Sequence, residues 1–126
     1  AHDDFGPWQD VFVAAAPGDA YAGDVVLLTS GATFSAAETF ALAMRVRDHV
    51  TIVGEPSSGH FSDLFDAELP NGWSLGFSGE RYRAADGTIY ETLGVPVDLA
   101  APFDPTAFAA GQDIMLEAAL QALGAP

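Results

Sequence analysis

Ser35 is the residue of this sequence whose position most favours covalent chemistry. It follows the apolar run 24–30 through a short loop that contains Gly31, and Ser35-Ala36-Ala37-Glu38 then opens a helix-like pattern. A serine at the first turn of a helix has an exposed hydroxyl beside backbone N–H groups that lack helical acceptors. This arrangement is that of a nucleophile for acyl transfer.

The same four residues also have a purely structural interpretation. Ser-x-x-Glu before an apolar-periodic segment is the capping box, in which the serine caps the helix and the glutamate reaches back to the serine N–H. Taken alone, these four residues favour the capping interpretation of Ser35 over the nucleophile.

His60 is the second candidate, twenty-five residues after Ser35 and directly after Gly59. Imidazole is the side chain that titrates closest to neutral pH, so it suits a general base. Three interpretations stay open for His60: the base itself, a residue that lines the cleft, and a turn histidine bonded to backbone. His49 is interpreted as structural, because a cation at the end of the predicted helix favours the helix dipole.

The elements that must position these residues follow from hydrophobic patterning. Residues 24–30 form an apolar run without alternation, which predicts a fully buried strand. A helix is predicted from Ser35 to about Arg47, and the apolar run 50–53 predicts a second buried strand, ended by Gly54. Strand, helix and strand at this spacing predict a βαβ unit with parallel strands.

The middle of the chain predicts antiparallel structure. Residues 63–69 and 73–78 flank Asn71-Gly72, a dipeptide that favours a type I′ hairpin turn with positive φ at both residues. Arg81 and Arg83 would share one face of a following strand, because side chains alternate along a strand.

The two ends of the chain carry weaker patterns. Residues 1–23 are predicted to be an irregular approach segment with a short strand near Val11-Phe12-Val13. One closing helix is predicted over about 105–123. The chain starts at Ala1 without Met, so we expect a processed protein or a piece of a longer one.

Four segments match one pattern in order. They are Val26-Leu27-Leu28-Thr29-Ser30, the stretch from Thr33 to Ala43, Val53-Gly54-Glu55-Pro56, and Gly94-Val95-Pro96-Val97-Asp98. Together they resemble the C-terminal processing (tail-specific) serine peptidases. The resemblance is closest to the branch that contains tricorn protease and the repeats of interphotoreceptor retinoid-binding protein.

This resemblance implies a crotonase-like α/β fold, built as a β-β-α superhelix. Residues 24–126 would be the C-terminal part of the catalytic domain, with a β-hairpin and a closing helix. The resemblance also implies an upstream part of the same domain, which would supply a strand and a Gly-rich loop of the oxyanion hole.

The resemblance further implies roles for individual residues. Ser35 would be the nucleophile, its own N–H would supply one oxyanion donor, and Ala36 and Gly59 are the expected substrate-binding positions. Many members pair the serine with a lysine at the position of His60, but this sequence has no lysine. The tricorn-like branch takes its histidine base from the upstream part. Glu91 is the expected glutamate of a serine-histidine-serine-glutamate tetrad, with a surface glutamate as its alternative.

Composition argues against several other kinds of partner, cofactor and chemistry. Eighteen acidic residues against four arginines give a net charge of −14, which argues against nucleic acid and anionic membranes as partners. The absence of cysteine excludes disulfides and thiol catalysis. No apolar stretch approaches the roughly 18 residues of a membrane helix, so no membrane insertion is expected. The three histidines lack a metal-ligand spacing, and we expect neither metal nor cofactor.

The sequence therefore predicts a serine endopeptidase that acts on peptides or proteins and is inactive without its upstream part. The alternative is a non-catalytic domain of the same fold that binds a peptide or hydrophobic ligand, like the retinoid-binding repeats. In a third interpretation, Ser35 only caps a helix of a structural domain. A homo-oligomer is compatible with the sequence, which does not define the oligomeric state. The resemblance favours a periplasmic or other extracytoplasmic location.

Overall fold

A computed structural model describes residues 4–12, 14, 17–18 and 20–125. Its elements in chain order are β1 (Val25–Thr29), α1 (Ala36–Arg45), β2 (Val50–Gly54), β3 (Leu64–Glu68), β4 (Ser74–Ser78), β5 (Leu99–Ala100), α2 (Pro105–Ala109) and α3 (Ile114–Ala122). This mixture of helices and strands confirms the predicted α/β class. Among the described residues, no helix combines the length and apolar character that crossing a bilayer requires.

The first three elements form the predicted βαβ unit. β1 and β2 pair in parallel, from Val25 opposite Val50 to Thr29 opposite Gly54. β5 pairs in parallel with the other side of β2, so the sheet order is β1-β2-β5. The prediction that β1 is fully buried is wrong, since Leu28 is 40% exposed. Among the described residues, β1 pairs with a strand on one side only.

The core joins α1 to the sheet and to two loops. Ala41, Ile52, Phe61 and Val95 are buried and pack together. The small side chain of Ala41 lets α1 approach β2 closely, and burying a side chain as large as Ile52 stabilises a fold by about 1.5–3 kcal/mol. Phe61 and Val95 come from loops, so the same core fixes the segments that follow β2 and precede β5.

β3 and β4 form the predicted antiparallel hairpin, but the type I′ turn is wrong. Gly72 has φ 81°, whereas Asn71 is not among the described non-glycine residues with positive φ. Gly72 N–H donates to the Leu69 carbonyl at 2.8 Å, and Leu69 N–H donates to the Trp73 carbonyl at 2.7 Å. This is a type I turn followed by a left-handed glycine. Pro70 explains it, because its ring fixes φ near −65°, the value of the second residue of a type I turn.

The single closing helix predicted over 105–123 is two helices, so that prediction is wrong. Gly111 has φ 86°, which ends the helical path after α2. Asp113 then caps α3, where its carboxylate accepts from the Leu116 N–H at 3.0 Å. Gly111 thus ends the first helix and Asp113 begins the second, a pair of signals that the long apolar pattern does not reveal.

The strands predicted near Val11-Phe12-Val13 and at residues 81–83 are also absent from the described part of the chain. Val11 and Phe12 are not in a strand, and Val13 lies outside the described residues. The two segments instead meet through side chains. The Arg81 guanidinium lies 4.4 Å from the Phe5 ring centroid, and that of Arg83 lies 4.2 Å from Trp8. These cation–π contacts hold the approach segment without backbone pairing.

Candidate active site

Ser35 lies at the turn between β1 and α1 in an unusual backbone conformation. Its φ of 56° and ψ of −126° are values of the first central residue of a type II′ turn, a position that favours glycine. A non-glycine residue in such a region costs about 1–3 kcal/mol and persists only where its surroundings impose it. A helix cap alone does not need this conformation, since N-cap residues usually adopt β-region values. The outlier therefore marks Ser35 as a functional candidate.

Hydrogen bonds between two loops hold this turn. Ser30 N–H donates to the Thr33 hydroxyl at 3.0 Å, which closes the loop after β1. Ser58 N–H donates to the Thr33 carbonyl at 2.9 Å, and Ser35 N–H donates to the His60 carbonyl at 2.8 Å. The loops that follow β1 and β2 thus meet at the carboxyl edge of the parallel sheet, where ligand sites of α/β proteins commonly lie.

Of the predicted capping box, the half made by the Glu38 side chain is formed, and the half that needs the Ser35 hydroxyl is not. Ser35 N–H donates to Glu38 Oε2 at 3.1 Å, while the Ser35 hydroxyl makes no cap hydrogen bond. Because Glu38 and His60 both occupy the Ser35 N–H, the prediction that this group is an oxyanion donor is wrong. The next N–H, that of Ala36, has no acceptor among the described residues and can bind an oxyanion.

His60 lies on the loop after β2 with its side chain exposed. Its Nδ1 hydrogen-bonds with Ser58 Oγ. Gly59 has φ 76°, and a Cβ there would lie 2.8–2.9 Å from backbone atoms of residues 92–94, so only glycine fits. The structure brings His60 beside Ser35 through the backbone, without a hydrogen bond between the imidazole and the Ser35 hydroxyl among the described residues.

Glu91 lies beside the same loop and is half-buried. Its Oε2 accepts from the Phe61 N–H at 3.3 Å, and the Thr92 N–H donates to the Gly59 carbonyl at 2.8 Å. The observed partner of Glu91 is therefore the backbone next to His60 and not the imidazole. Ser35, His60 and Glu91 lie on three segments joined by hydrogen bonds.

Two buried polar residues lie under this site, Ser57, which no sequence pattern indicated, and Glu38, for which the sequence predicted only a capping contact. Ser57 Oγ accepts from the Val95 N–H at 2.6 Å and donates to Glu38 Oε1 at 2.6 Å. Ser-x-x-Glu spacing indicates only the contact between Glu38 and Ser35. The other partners of Glu38 come 19–22 residues later, and no local spacing points to them.

An open cavity of about 380 Å³ adjoins the loop before Ser35. Residues 28–33, Glu55, Phe103 and Met115 line it, and Leu28, Phe103 and Met115 give it apolar walls. Such a lining can accept an apolar side chain of a ligand. Within the described part of the chain, no three His, Asp or Glu side chains are grouped as a metal site requires.

Two ionisable groups away from the Ser35 turn have displaced pKa values. Burial, followed by the nearby Glu80 carboxylate, raises the pKa of Tyr82. The Thr88 N–H, which donates to Asp86 at 2.8 Å, lowers the pKa of that carboxyl. At the Ser35 turn, the positive end of the α1 dipole and the Glu38 carboxylate, which accepts from the Ser35 N–H, both contribute to the local field.

Comparison with known proteins decides the family. A sequence model of peptidase family S41 matches residues 8–101. This chain belongs to peptidase family S41. The family predicted from the four sequence segments is thereby confirmed. A search of the curated proteins found no match.

Solved structures share the S41 fold. A candidate peptidase from Parabacteroides merdae is 30% identical, with a TM-score of 0.78 over 86% of this chain and 34% of its own. The photosystem II D1 C-terminal processing protease is 25% identical, with a TM-score of 0.54 over 81% of this chain and 25% of its own. Tricorn protease is 17% identical, with a TM-score of 0.57 over 80% of this chain and 10% of its own. This chain thus spans about a third or less of the length of each of these proteins.

Proposed function

We propose that residues 24–126 are the C-terminal part of a serine peptidase catalytic domain, preceded by the approach segment 1–23. Ser35 is its nucleophile in the hydrolysis of peptide bonds. The observation that carries this proposal is the Ser35 backbone, with φ 56° at a strand-to-helix turn and the Ala36 N–H without an acceptor beside it. The crotonase-like superhelix, completed by an upstream part, and an extracytoplasmic location belong to the same proposal and rest on the family resemblance.

In the proposed reaction, Ser35 Oγ attacks the carbonyl carbon of the scissile peptide bond, and its proton passes to a general base. The carbonyl oxygen becomes an oxyanion, which accepts from the Ala36 N–H and from a second donor in the upstream part. The amine then leaves with a proton from the base, and water hydrolyses the acyl-enzyme. Loss of one oxyanion donor typically costs about 10²–10³-fold in kcat, so this chain alone is expected to be inactive.

Within this chain, His60 is the proposed base and Glu91 its carboxylate partner. Their support is position, since the loop of His60 is hydrogen-bonded to the Ser35 turn and the segment of Glu91 is hydrogen-bonded to the loop of His60. The imidazole contacts Ser58, so proton transfer requires it to turn toward the Ser35 hydroxyl. A histidine from the upstream part is the alternative base, and a His60 variant separates the two.

The proposed substrate is a peptide in extended conformation, paired with an edge of the β1-β2-β5 sheet. Ala36 would contact its backbone, because this small exposed residue leaves room for a second chain. Gly59 is buried against residues 92–94 and would act by supporting the loop of His60, in place of the substrate contact expected from the sequence. The cavity beside residues 28–33 would bind an apolar side chain of the peptide. The support for this is its lining by the apolar side chains of Leu28, Phe103 and Met115. The substrate class is therefore an unfolded or C-terminal peptide segment with apolar residues near the cleaved bond.

A non-catalytic domain that binds a peptide or hydrophobic ligand is the second candidate. The contact of the His60 imidazole with Ser58, in place of the Ser35 hydroxyl, favours it. The same apolar cavity would then hold the ligand.

Peptide hydrolysis tests the proposed function. A polypeptide that includes the upstream part is incubated with a mixture of unstructured peptides, and products are identified by mass spectrometry. Ser35→Ala is expected to lower the rate by at least ~10³-fold. Ser74→Ala, at an exposed serine of β4, is the control and is expected to cleave like the wild type. Equal hydrolysis by Ser35→Ala and wild type would reject the proposal.

A further inference from the structure

Glu38 is a fully buried carboxylate at the first turn of α1, with 0% exposure. Its Oε1 accepts from Ser57 Oγ and from the Gly59 N–H, both at 2.6 Å. Its Oε2 accepts from the His60 N–H at 2.8 Å and from the Ser35 N–H at 3.1 Å. One side chain thus ties the Ser35 turn to the loop that carries His60.

The partners of Glu38 require a group that only accepts hydrogen bonds. The three backbone N–H groups can only donate, and the Ser57 hydroxyl donates its proton to the carboxylate while its Oγ accepts from the Val95 N–H. A carboxylate offers acceptors at both oxygens, whereas a glutamine amide offers one oxygen and one donating NH₂. A glutamine of the same size would therefore set its NH₂ against at least one backbone donor, the Gly59 N–H on one side or the Ser35 and His60 N–H groups on the other. Charge-assisted hydrogen bonds of this kind can offset the cost of burying the carboxylate.

From these contacts we infer that Glu38 is a positioning residue of the Ser35 site. By taking the Ser35 N–H, its carboxylate helps to hold the strained turn, and the following N–H of Ala36 is left without an acceptor. By taking the Gly59 and His60 N–H groups, it fixes the loop against that turn. The catalytic part of this inference rests on the proposed role of Ser35, while the anchoring of the loop does not.

A capping role alone is the alternative to positioning. A capping glutamate needs only its contact with the Ser35 N–H, and it can stay exposed at a helix end. Glu38 is buried and holds three further donors from residues 57–60. Loss of a simple cap would lower the melting temperature and leave kcat of the folded enzyme unchanged. Loss of a positioning residue would change local hydrogen exchange and kcat.

The test compares wild type, Glu38→Gln and Glu117→Gln in the polypeptide that includes the upstream part. Glu117 is an exposed glutamate in the first turn of α3, so its variant controls for the loss of a charge near a helix N-terminus. Amide hydrogen exchange is measured by NMR, and peptide hydrolysis gives kcat and KM.

In Glu38→Gln, the Ser35, Gly59 and His60 amides are expected to exchange at least ~10-fold faster, while the amides of β2 are unchanged. kcat is expected to fall by about 10–100-fold with little change in KM. Faster exchange in a protein without hydrolytic activity would support the anchoring and reject only the proposed function. Unchanged exchange at all three amides would overturn the inference, and so would a kcat equal to that of Glu117→Gln in a protein that hydrolyses peptides.

If Glu38→Gln does not fold, the same measurements are made on Ser57→Ala. This variant removes one of the four donors and keeps the carboxylate. The Val95 and Gly59 amides are expected to exchange faster, and kcat to fall by less than the loss expected for Glu38→Gln. Exchange at the Gly59 amide equal to that of the wild type would count against the inference.

Discussion

The backbone of Ser35 links conformation to chemistry at the scale of one residue. A turn of this type places a side chain at the end of a strand, in front of a helix N-terminus, and its strain must be offset by surrounding contacts. Here the contacts are the hydrogen bonds of the Ser35 N–H to His60 and Glu38. This strain predicts a difference between two substitutions.

Ser35→Gly is expected to be more stable than Ser35→Ala. Glycine adopts φ 56° without steric cost, whereas alanine keeps the strain. The free energy of unfolding of Ser35→Gly should exceed that of Ser35→Ala by about 1 kcal/mol. Glycine removes the backbone strain, but part of this gain is offset because glycine makes the unfolded chain more flexible. Chemical denaturation of both variants measures this difference.

The matched control for this comparison is Ser30, in the same loop and without positive φ. There the order should reverse, with Ser30→Ala more stable than Ser30→Gly. If alanine is as stable as glycine at position 35, the backbone of Ser35 is not strained and the main support for its role is lost.

His60 provides the second prediction at this scale. Its side chain is exposed, so His60→Ala should change the melting temperature little. If the imidazole is the base, kcat should fall by about 10²–10⁴-fold. His49→Ala, at the C-terminal side of α1, is the control and should retain the wild-type kcat. An unchanged kcat in His60→Ala would assign the base to the upstream part.

At the scale of the elements, the best predictions came from segments with several agreeing signals. The apolar runs, the Ser-x-x-Glu start and the Gly54 stop placed β1, α1 and β2 within one or two residues. The predicted position of the hairpin is correct, but the predicted turn type is wrong. Pro70 fixes φ at the value of a type I turn, and the Asn-Gly pattern alone does not take this into account. The break between α2 and α3 depends on Gly111 and Asp113. The apolar pattern continues across both residues and therefore predicted one helix.

The hairpin gives a prediction at this scale. Gly72 has φ 81° with nothing within 4 Å of an added Cβ, so a substitution there meets backbone strain and no steric clash. Gly72→Val should lower the free energy of unfolding by on the order of 1 kcal/mol or more, since a β-branched residue resists positive φ. Thermal unfolding measures it.

Gly6→Val is the control, because Gly6 also has open space but no positive φ. It should unfold like the wild type. An unchanged melting temperature in Gly72→Val would contradict the type I turn with its left-handed glycine.

At the scale of the whole molecule, the hairpin leaves an apolar face uncovered. Phe65 faces the same side as Phe77, and Ala67 the same side as Leu75, because these pairs are opposite each other in the register. Phe65, Leu75 and Phe77 are about half exposed. A face of this kind usually contacts another surface.

The site was predictable only in part, for reasons that lie in tertiary structure. Ser35, His60 and Glu91 could be selected by type, spacing and resemblance, and they do lie on adjacent segments. The four donors around Glu38, and the occupied N–H of Ser35, could not be selected. They depend on how the loop at 57–60 folds back over α1, which no local pattern encodes.

Site-resolved labelling with a fluorophosphonate tests directly whether Ser35 is the nucleophile. The polypeptide with its upstream part, its Ser35→Ala and Ser74→Ala variants, and residues 1–126 alone are treated, digested and analysed by mass spectrometry. If Ser35 is the nucleophile, a label is expected on Ser35 in the wild type and in Ser74→Ala, and none at position 35 in Ser35→Ala or in residues 1–126 alone. Labelling of Ser35→Ala as strong as that of the wild type would show that Ser35 is not the nucleophile.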